Sequence, residues 1–568
     1  MARLGTFGDP GLPRDRGTPL LAARRLRINL SVRSLTCSAV TTCGVMWLLA
    51  SCAGPRVLPP SIEIDEDGYR SHLAELASDA YEGRKPGYPG EDRTIAYLTE
   101  KFRKLGLKPG NGASYLQAVP LVEITASDVS LRVTGHDGTR NLLYGEDMVI
   151  WSRREQAAVA LTTSEIVFVG YGMYANTDVR GKTVVVLLGE PGGATSSAGL
   201  WDHKIDEAAR HGADGVLVVH DALGGSLGWK VIANKFGAAQ LHAPLTGATR
   251  PAVEGWLSNA AARALFSRVG RDFTAISADA ARAGFTPVAL GLSVDAEIHN
   301  AIRHLSSANV VAVLPGAKRA REYVFYTAHW DHLGSAPRPG AAGRGADGTA
   351  TIFNGALNNA SGTAGLLMLA QSLARTRPLA DRSMVFLALT AEDSGLLGSK
   401  FYVDNPIFPL ADTVGVINLD TLHPGGPTRD VVIYGKGNSE LEEYARDAAT
   451  LQGRELRTDP NPEQRWFYRS AQFNFAKSGV PALYVKGGID DSARGPEWGR
   501  AQWQDYWANR YCEPGDRYSA DWDVRGALDD VRLYLMIGNR LARSRNFPDW
   551  YPRSEFRPSR TAPGLAPP

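Results

Sequence analysis

The apolar residues between Tyr323 and Asp420 form short continuous runs instead of alternating with polar ones. Three such runs are Tyr323 to Tyr326, Met384 to Leu389 and Val414 to Leu419. Strands that helices cover on both faces have this character, because neither face of the strand meets water. The pattern predicts an α/β domain with a mostly parallel sheet between layers of helices.

Side chains that can bind a metal or carry a proton directly follow these runs. His329 and Asp331 follow the first, Glu392 and Asp393 the second, and Asp420 ends the third. The carboxyl ends of strands in an open α/β sheet border the crevice where ligands bind. On its own an H-x-D pair suits a buried histidine equally well, and a Glu-Asp pair is common on surfaces. Their shared position after apolar strands favours a single site.

The pattern of apolar residues changes twice along the chain, and these changes predict the domain boundaries. Residues 61–120 carry apolar positions at helical spacing, and strands alternate with helices again over 304–550. Between them, 121–303 is rich in β patterns such as EIVFVGYGMY and GKTVVVLLGEPGG. We predict one domain built from 61–120 and 304–550, with 121–303 as an inserted β-rich lobe. Residues 551–568 are predicted to be a proline-rich C-terminal tail.

The N-terminal segment predicts export. Arginines between positions 24 and 33 precede an apolar run from Cys37 to Ala50, which suits a secretory signal. The run ends in LASC, which resembles a bacterial lipobox with Cys52 as the residue that receives the lipid. We predict a signal peptide over 1–52, a tether over 53–60, and a protein anchored by lipid to the membrane in the periplasm or cell envelope. An ordinary cleaved signal or a short membrane anchor is the alternative.

Composition and net charge limit the classes of partner that the protein is expected to bind. A formal net charge of +2 over 568 residues gives no electrostatic reason to expect a nucleic acid partner. With 44% hydrophobic and 21% charged residues, the chain has the composition of a globular protein. Of its four cysteines, Cys37 and Cys43 lie in the predicted signal and Cys52 would carry the lipid. Cys512 is then the one cysteine that remains, so no disulfide framework is expected.

Six motifs in order carry a family resemblance. They are HWDH, GALNNASG, AEDSGLLGS, INLD, FAKSGVPALY and RYCEPGDRY, preceded by LASDAYEGRKPGYPG. Together they resemble the zinc aminopeptidases that contain a protease-associated insert, in the same clan as glutamate carboxypeptidase and the glutaminyl cyclases. The resemblance covers essentially the whole chain after the predicted signal. It implies a phosphorylase/hydrolase-like zinc exopeptidase core, with 121–303 as the protease-associated lobe.

The resemblance also implies a metal site. In that family five residues hold two zinc ions and a glutamate acts as general base. Matched by motif, the metal positions are His329 and Asp420 for the first ion, Asp393 and Cys512 for the second, and Asn358 as the bridge. Glu392 matches the general base. Asp331 is the candidate that orients His329 and supports catalysis, since a metal-bound histidine usually donates its other ring N–H to an oxygen.

Three of the matched positions depart from the family. Asn358 replaces an aspartate, Cys512 replaces a histidine, and Asp393 replaces a glutamate. A neutral amide offers one oxygen and no charge, so it should hold two dications together poorly. A thiolate is a good zinc ligand, so the ligand set could be rearranged around one zinc ion. The number of ions, one or two, stays open at this point.

A fourth departure lies where the family reads R-S-D-H and this chain reads Arg469-Ser470-Ala471-Gln472. We predict that Tyr468 and Gln472 lie beside the ligands or face the substrate. The function favoured overall is an exported metallo-exopeptidase that hydrolyses N-terminal residues of peptides. The alternative is an impaired or inactive homologue that serves as a lipid-anchored peptide-binding or scaffold protein. Amine transfer of the cyclase kind is a weaker third option.

Overall fold

The computed structural model describes residues 64–193, 196–220, 228–245, 247, 250–335, 351–422 and 425–560. The predicted signal segment with Cys52, the tether 53–60 and residues 561–568 of the predicted tail lie outside these ranges. Among the described helices, none has both the length and the apolar character needed to cross a bilayer.

The chain opens with two helices, strands dominate from residue 108 to residue 187, and strands alternate with helices mainly after residue 361. The strands up to the end of the predicted lobe are β1 Lys108–Pro109, β2 Leu116–Gly135, β3 Gly138–Asn141, β4 Met148–Trp151, β5 Ala158–Phe168, β6 Thr183–Leu187, β7 Gly215–Val219, β8 Gln240–His242, β9 Val253–Leu257 and β10 Val288–Leu314. The later strands are β11 Arg319–His329, β12 Gly334–Ser335, β13 Ile352–Phe353, β14 Arg382–Leu389, β15 Thr413–Asn418, β16 Asp430–Tyr434, β17 Glu455–Thr458 and β18 Ala482–Gly487. The helices are α1 Glu66–Leu76, α2 Pro89–Lys104, α3 Trp201–Arg210, α4 Trp229–Phe236, α5 Asn259–Arg268, α6 Phe273–Ala280, α7 Ser361–Arg375, α8 Leu397–Asp404, α9 Leu441–Leu451, α10 Gln472–Lys477, α11 Pro496–Asp505, α12 Arg525–Arg543 and α13 Arg557–Arg560.

The central strands of the sheet are parallel. β11 lies between β14 and β15 and pairs in parallel with both, and β18 pairs in parallel with β15. β10 and β16 join this group as antiparallel neighbours, of β14 and β18 respectively. Because the parallel strands point the same way, their carboxyl ends meet at one edge. The predicted mixed, mostly parallel α/β sheet is confirmed.

Helices cover both faces of these central strands. On one face Tyr326 and Phe386 pack in a core that also includes residues of α1, α2, α7 and α12. On the other face Phe325 and Leu387 pack with Tyr402 of α8 and with residues of α10. Every residue of β14 and β15 is buried. This double coverage is the physical reason that the strands read as continuous apolar runs.

The predicted lobe shares its sheet with the main domain. β2 and β10 pair antiparallel from Ser293↔Thr134 to Val310↔Leu116. Beyond that point β10 pairs with β14, over Val310 to Leu314. The predicted boundaries at 121 and 303 therefore fall inside continuous strands. A composition change cannot mark such a boundary, because one strand serves both parts.

Candidate metal centre

Three strand ends bring a histidine and two carboxylates together. His329 is the last residue of β11, Glu392 follows β14 by three residues, and Asp420 follows β15 by two. All three are buried, and one ligand atom from each lies within 4.8 Å of the other two. His329 Nε2 is 3.6 Å from Asp420 Oδ1. The parallel pairing of the strands thus assembles one site from residues far apart in sequence.

His329 is held by its Nδ1 and faces the site with its Nε2. Nδ1 is 3.1 Å from the main-chain oxygen of Asp331 and 3.6 Å from its Oδ1. Burial favours the neutral ring, but the negative charges of Glu392, Asp331 and Asp420 outweigh it and hold the pKa of His329 well above its ordinary value. Three carboxyl groups therefore lie around this ring. Asp331 orients the ring, mainly through its backbone.

One oxygen of Glu392 is fixed and the other is free. Oε1 accepts hydrogen bonds from Ser470 Oγ at 2.7 Å and from the Ala471 N–H at 3.0 Å. The main-chain N–H of Glu392 donates to Asp331 Oδ1 at 3.0 Å. Oε2 is buried and has no hydrogen-bond partner among the described residues. Burial, together with the nearby charge of Asp420, raises the pKa of Glu392 to about 8, although His329 opposes the shift.

Asn358 lies in an irregular turn, Ala356–Ala360, immediately before α7. Its Oδ1 is 3.2 Å from His329 Nε2, so the amide oxygen points towards the same place as the ring nitrogen. Its Nδ2 is buried without a hydrogen-bond partner among the described residues. The structure thus places an oxygen donor, but no charge, at the position predicted to bridge two ions.

Asp393 is already surrounded by basic groups. His332 Nδ1 lies 2.8 Å from its Oδ2, and Lys235 Nζ lies 3.6 Å from its Oδ1. Burial alone would raise the pKa of Asp393, but Lys235 and the His332 hydrogen bond outweigh it and hold the pKa well below the ordinary range. One ligand atom each from His329, Asp331 and Asp393 also lies within 4.8 Å of the others.

Cys512 is buried in the apolar neighbourhood of the site and forms no disulfide with another described residue. It belongs to a cluster with Leu357, Tyr506 and Tyr511. Among the described residues, it is in neither of the groups of His, Cys, Asp and Glu whose ligand atoms lie within 4.8 Å of one another. Its role as a ligand stays a prediction.

Gln472 and Tyr468 lie behind the site. Gln472 is fully buried, and its Oε1 accepts a 2.7 Å hydrogen bond from Asn418 Nδ2. Asn418 Nδ2 also donates to Ser470 Oγ at 2.7 Å, so Gln472 is connected to Glu392 through Asn418 and Ser470. The Tyr468 hydroxyl donates to Glu555 Oε1 at 2.6 Å. A role of these two side chains towards substrate stays a prediction.

Arg84, which was not predicted as a functional residue, ties the N-terminal segment to the site. Its guanidinium is buried and donates to the carbonyls of Leu76, Trp330, Asn354 and Gly355. Burial lowers its pKa to about 10. This arginine is part of the opening motif, in the segment EGRKPG. An arginine between turn-forming residues is usually interpreted as a surface residue, so its role was not recognised.

Asp516 was also missed. Its Oδ1 accepts the Leu357 N–H at 2.9 Å, and its Oδ2 accepts the Asn358 N–H at 3.1 Å and the Tyr506 hydroxyl at 3.3 Å. This carboxylate therefore fastens the loop of Cys512 to the turn of Asn358. Its signal was the aspartate of RYCEPGDRY, which the motif contained without a role.

The residues present fit one zinc ion. The donors are an imidazole nitrogen, carboxylate oxygens and an amide oxygen, a set that zinc accepts. Glu392 Oε2 and Asp331 Oδ2 are buried polar atoms without hydrogen-bond partners among the described residues. Buried carboxylate oxygens are costly to leave unpaired, so their presence beside His329 favours a bound cation.

The chain is similar to known peptidases in sequence and in fold. Residues 309–536 match the model of Peptidase family M28. The fold is similar to that of an aminopeptidase from Aneurinibacillus sp. strain AM-1, with a TM-score of 0.50 and 18% identity over 84% of this chain and 94% of that one. A zinc aminopeptidase from Bacillus subtilis matches with a TM-score of 0.45 and 17% identity, over 84% and 95% of the two chains.

A curated relative matches a shorter stretch. It is mouse (Mus musculus) aminopeptidase NAALADL1, which is 29% identical over 137 residues. That stretch is 23% of this chain and spans only 16% of the length of the mouse protein. The match of residues 309–536 to a peptidase family agrees with the predicted relationship, and the fold similarity confirms the α/β architecture.

Proposed function

We propose that the protein is a zinc-dependent exopeptidase that removes N-terminal residues from peptides, because residues 309–536 match the model of Peptidase family M28. The observation that carries the proposal is the half-free carboxylate of Glu392, buried within 4.8 Å of the ligand atoms of His329 and Asp420. A metal position and a proton acceptor therefore share one site.

His329, Asp420 and the amide oxygen of Asn358 would hold the zinc. Bound zinc lowers the pKa of a coordinated water and polarises a carbonyl oxygen. Asp331 positions both sides of this arrangement, because its backbone oxygen faces His329 and its Oδ1 accepts the Glu392 main-chain N–H. Asp331 is thus a positioning residue.

Glu392 moves the proton. Ser470 and the Ala471 N–H hold Oε1, so Oε2 is the oxygen that takes a proton from the attacking water. The water oxygen bonds to the peptide carbonyl carbon, and the same proton passes to the leaving amine as the C–N bond breaks. The carboxylate of Glu392 thus accepts the proton in the first step and releases it in the second.

The test combines metal content with turnover. Purified protein supplied with zinc should release amino acids from aminoacyl chromogenic substrates, and a chelator should stop the release. Glu392→Gln should retain its zinc but lose turnover by roughly 10²–10⁴-fold, the usual contribution of a general base. Glu497→Gln, at an exposed site on α11, is the matched control and should keep full activity. No turnover at any pH with zinc bound would refute the proposal.

A non-catalytic function is favoured by two residues. Asn358 supplies no bridging charge, and Cys512 lies outside the groups of close ligand atoms in the described part of the chain. If the protein only binds peptides as a lipid-anchored scaffold, Asn358→Asp together with Cys512→His should create activity that the natural protein lacks. Cleavage by the unaltered protein would exclude this alternative.

We also propose that the protein is exported and anchored by lipid at Cys52. The support is the basic and apolar N-terminal pattern that ends in LASC. Cells fed a labelled fatty acid should label the parent protein but not Cys52→Ala. Labelling of both proteins, or of neither, would contradict the proposal.

A further inference from the structure

Asp393 matches the family position that holds a second metal ion, yet both its oxygens face basic side chains. His332 Nδ1 is 2.8 Å from Oδ2 and Lys235 Nζ is 3.6 Å from Oδ1. The side chains of Lys235 and Asp393 are only 19% and 7% exposed. The ion pair is therefore largely shielded from solvent, where attraction between opposite charges is stronger than at the surface.

Lys235 reaches the site from the predicted inserted lobe, on α4. The neighbouring Asn234 is buried and donates through Nδ2 to Glu513 Oε1 at 3.0 Å. Phe236 belongs to the same apolar cluster as Cys512. The Asn234 hydrogen bond to Glu513 thus ties this end of α4 to the loop that contains Cys512.

The other donors expected for a second ion are poorly suited to it. Asn358 is neutral, and its Nδ2 cannot act as a ligand. Cys512 is outside both groups of close ligand atoms in the described ranges. An ion bound to Asp393 at about 2.0–2.2 Å would lie within about 6 Å of the Lys235 ammonium, given its 3.6 Å contact with the same carboxylate. A dication and an ammonium would then compete for one negative charge.

We propose that the ammonium of Lys235 takes the place of the second metal ion, so that the protein binds a single zinc ion at His329, Asp420 and Asn358. This inference rests on the proposed zinc site and adds a role for the lobe, which completes the charge of that site. Replacement of the bridging aspartate by Asn358 is consistent with it, because a site with one dication and one ammonium needs less negative charge.

The experiment counts zinc ions. Metal-free protein is equilibrated with buffered zinc, and zinc per chain is measured by elemental analysis and by calorimetric titration. The parent should bind one ion. The double variant Lys235→Met with Asn358→Asp should bind two, and Lys235→Met alone should strengthen any weak second binding by at least about tenfold. Lys235→Arg keeps the cation and should stay at one ion.

Lys230→Met is the matched control. Lys230 is on the same helix, is 74% exposed and faces Glu513 at 3.4 Å, so its loss should leave the stoichiometry at one. Circular dichroism and the thermal midpoint of each variant establish that it is folded. If Lys235→Met alone does not fold, the zinc stoichiometries of the parent, of Lys235→Arg and of Asn358→Asp test the inference instead. Two ions bound to the parent and to Lys235→Arg would overturn it.

Each outcome separates this inference from the proposed function. Two equivalent ions on the parent would overturn the inference and leave the exopeptidase proposal intact. No zinc on the parent would overturn both. One ion without turnover would support the inference and refute hydrolysis. A double variant that still binds one ion would refute the assignment of Lys235.

Discussion

Arg84→Met removes the guanidinium that joins the N-terminal segment to the metal site. Arg84 is 1% exposed. Its Nη1 donates to the carbonyls of Leu76 at 2.5 Å and Asn354 at 2.6 Å, its Nε to Trp330 at 2.8 Å, and its Nη2 to Gly355 at 2.9 Å. Methionine keeps an unbranched chain at a residue whose φ is +50°, so the backbone requirement is the same in both proteins.

The expected loss follows from these contacts. A buried acceptor left without a partner costs about 1–3 kcal/mol, so the loss of all the donated bonds would cost roughly 4–12 kcal/mol. Removal of a buried charge offsets part of this loss of stability, because the folded protein no longer has to desolvate the guanidinium. Water that enters the vacated space can satisfy some carbonyls. We therefore expect the free energy of unfolding to fall by about 3–5 kcal/mol.

Arg84→Met should also weaken zinc binding. Trp330 directly follows His329, and Gly355 belongs to the turn that leads to Asn358. Urea unfolding of the zinc-free protein measures stability, and competition with a chelating dye measures zinc affinity, which should fall together with it. Arg84→Lys keeps the charge but offers a single nitrogen, so its stability should lie between parent and Arg84→Met.

Arg70→Met is the control for the loss of an arginine as such. Arg70 forms an ion pair with Glu66 on α1, with side chains 26% and 42% exposed. Exposed pairs of this kind contribute about 0–1 kcal/mol. If Arg84→Met were as stable as Arg70→Met and bound zinc equally well, the argument from the buried carbonyls would be wrong.

Two further predictions concern Glu392 and Asp516. In zinc-free protein burial raises the pKa of Glu392 from its ordinary value of 4.5 to about 8. The parent should therefore lose stability as pH rises through this window, by at most about 1.4 kcal/mol per pH unit. Glu392→Gln, which does not titrate, should gain relative to the parent over the same window in urea unfolding, and a constant difference would contradict this. Asp516→Asn should lose about 1–3 kcal/mol, because the amide nitrogen would face a main-chain N–H donor. The exposed control Asp521→Asn should unfold like the parent in the same assay, and equal losses in both variants would refute the role of Asp516.

Some of the site could be predicted from sequence because it depends on local pattern. The apolar runs specify strands buried on both faces, and the residues that end them lie at the same edge wherever the strands are parallel. His329, Glu392 and Asp420 come together for this reason alone. The presence of Asn358 where the family has an aspartate could likewise be recognised from the sequence as a loss of charge, since charge depends on residue type.

Only the tertiary structure decided the contacts between segments that no local sequence pattern connects. Lys235 looks like an ordinary helix lysine until α4 is packed against the loop of Cys512. Arg84 looks like a turn residue until its donors meet carbonyls from both sides of the metal site. Whether Asp393 binds a second ion or an ammonium depends on which charged groups the fold brings within a few ångströms. Electrostatic interactions are set by that distance and by burial, and neither quantity can be read along the chain.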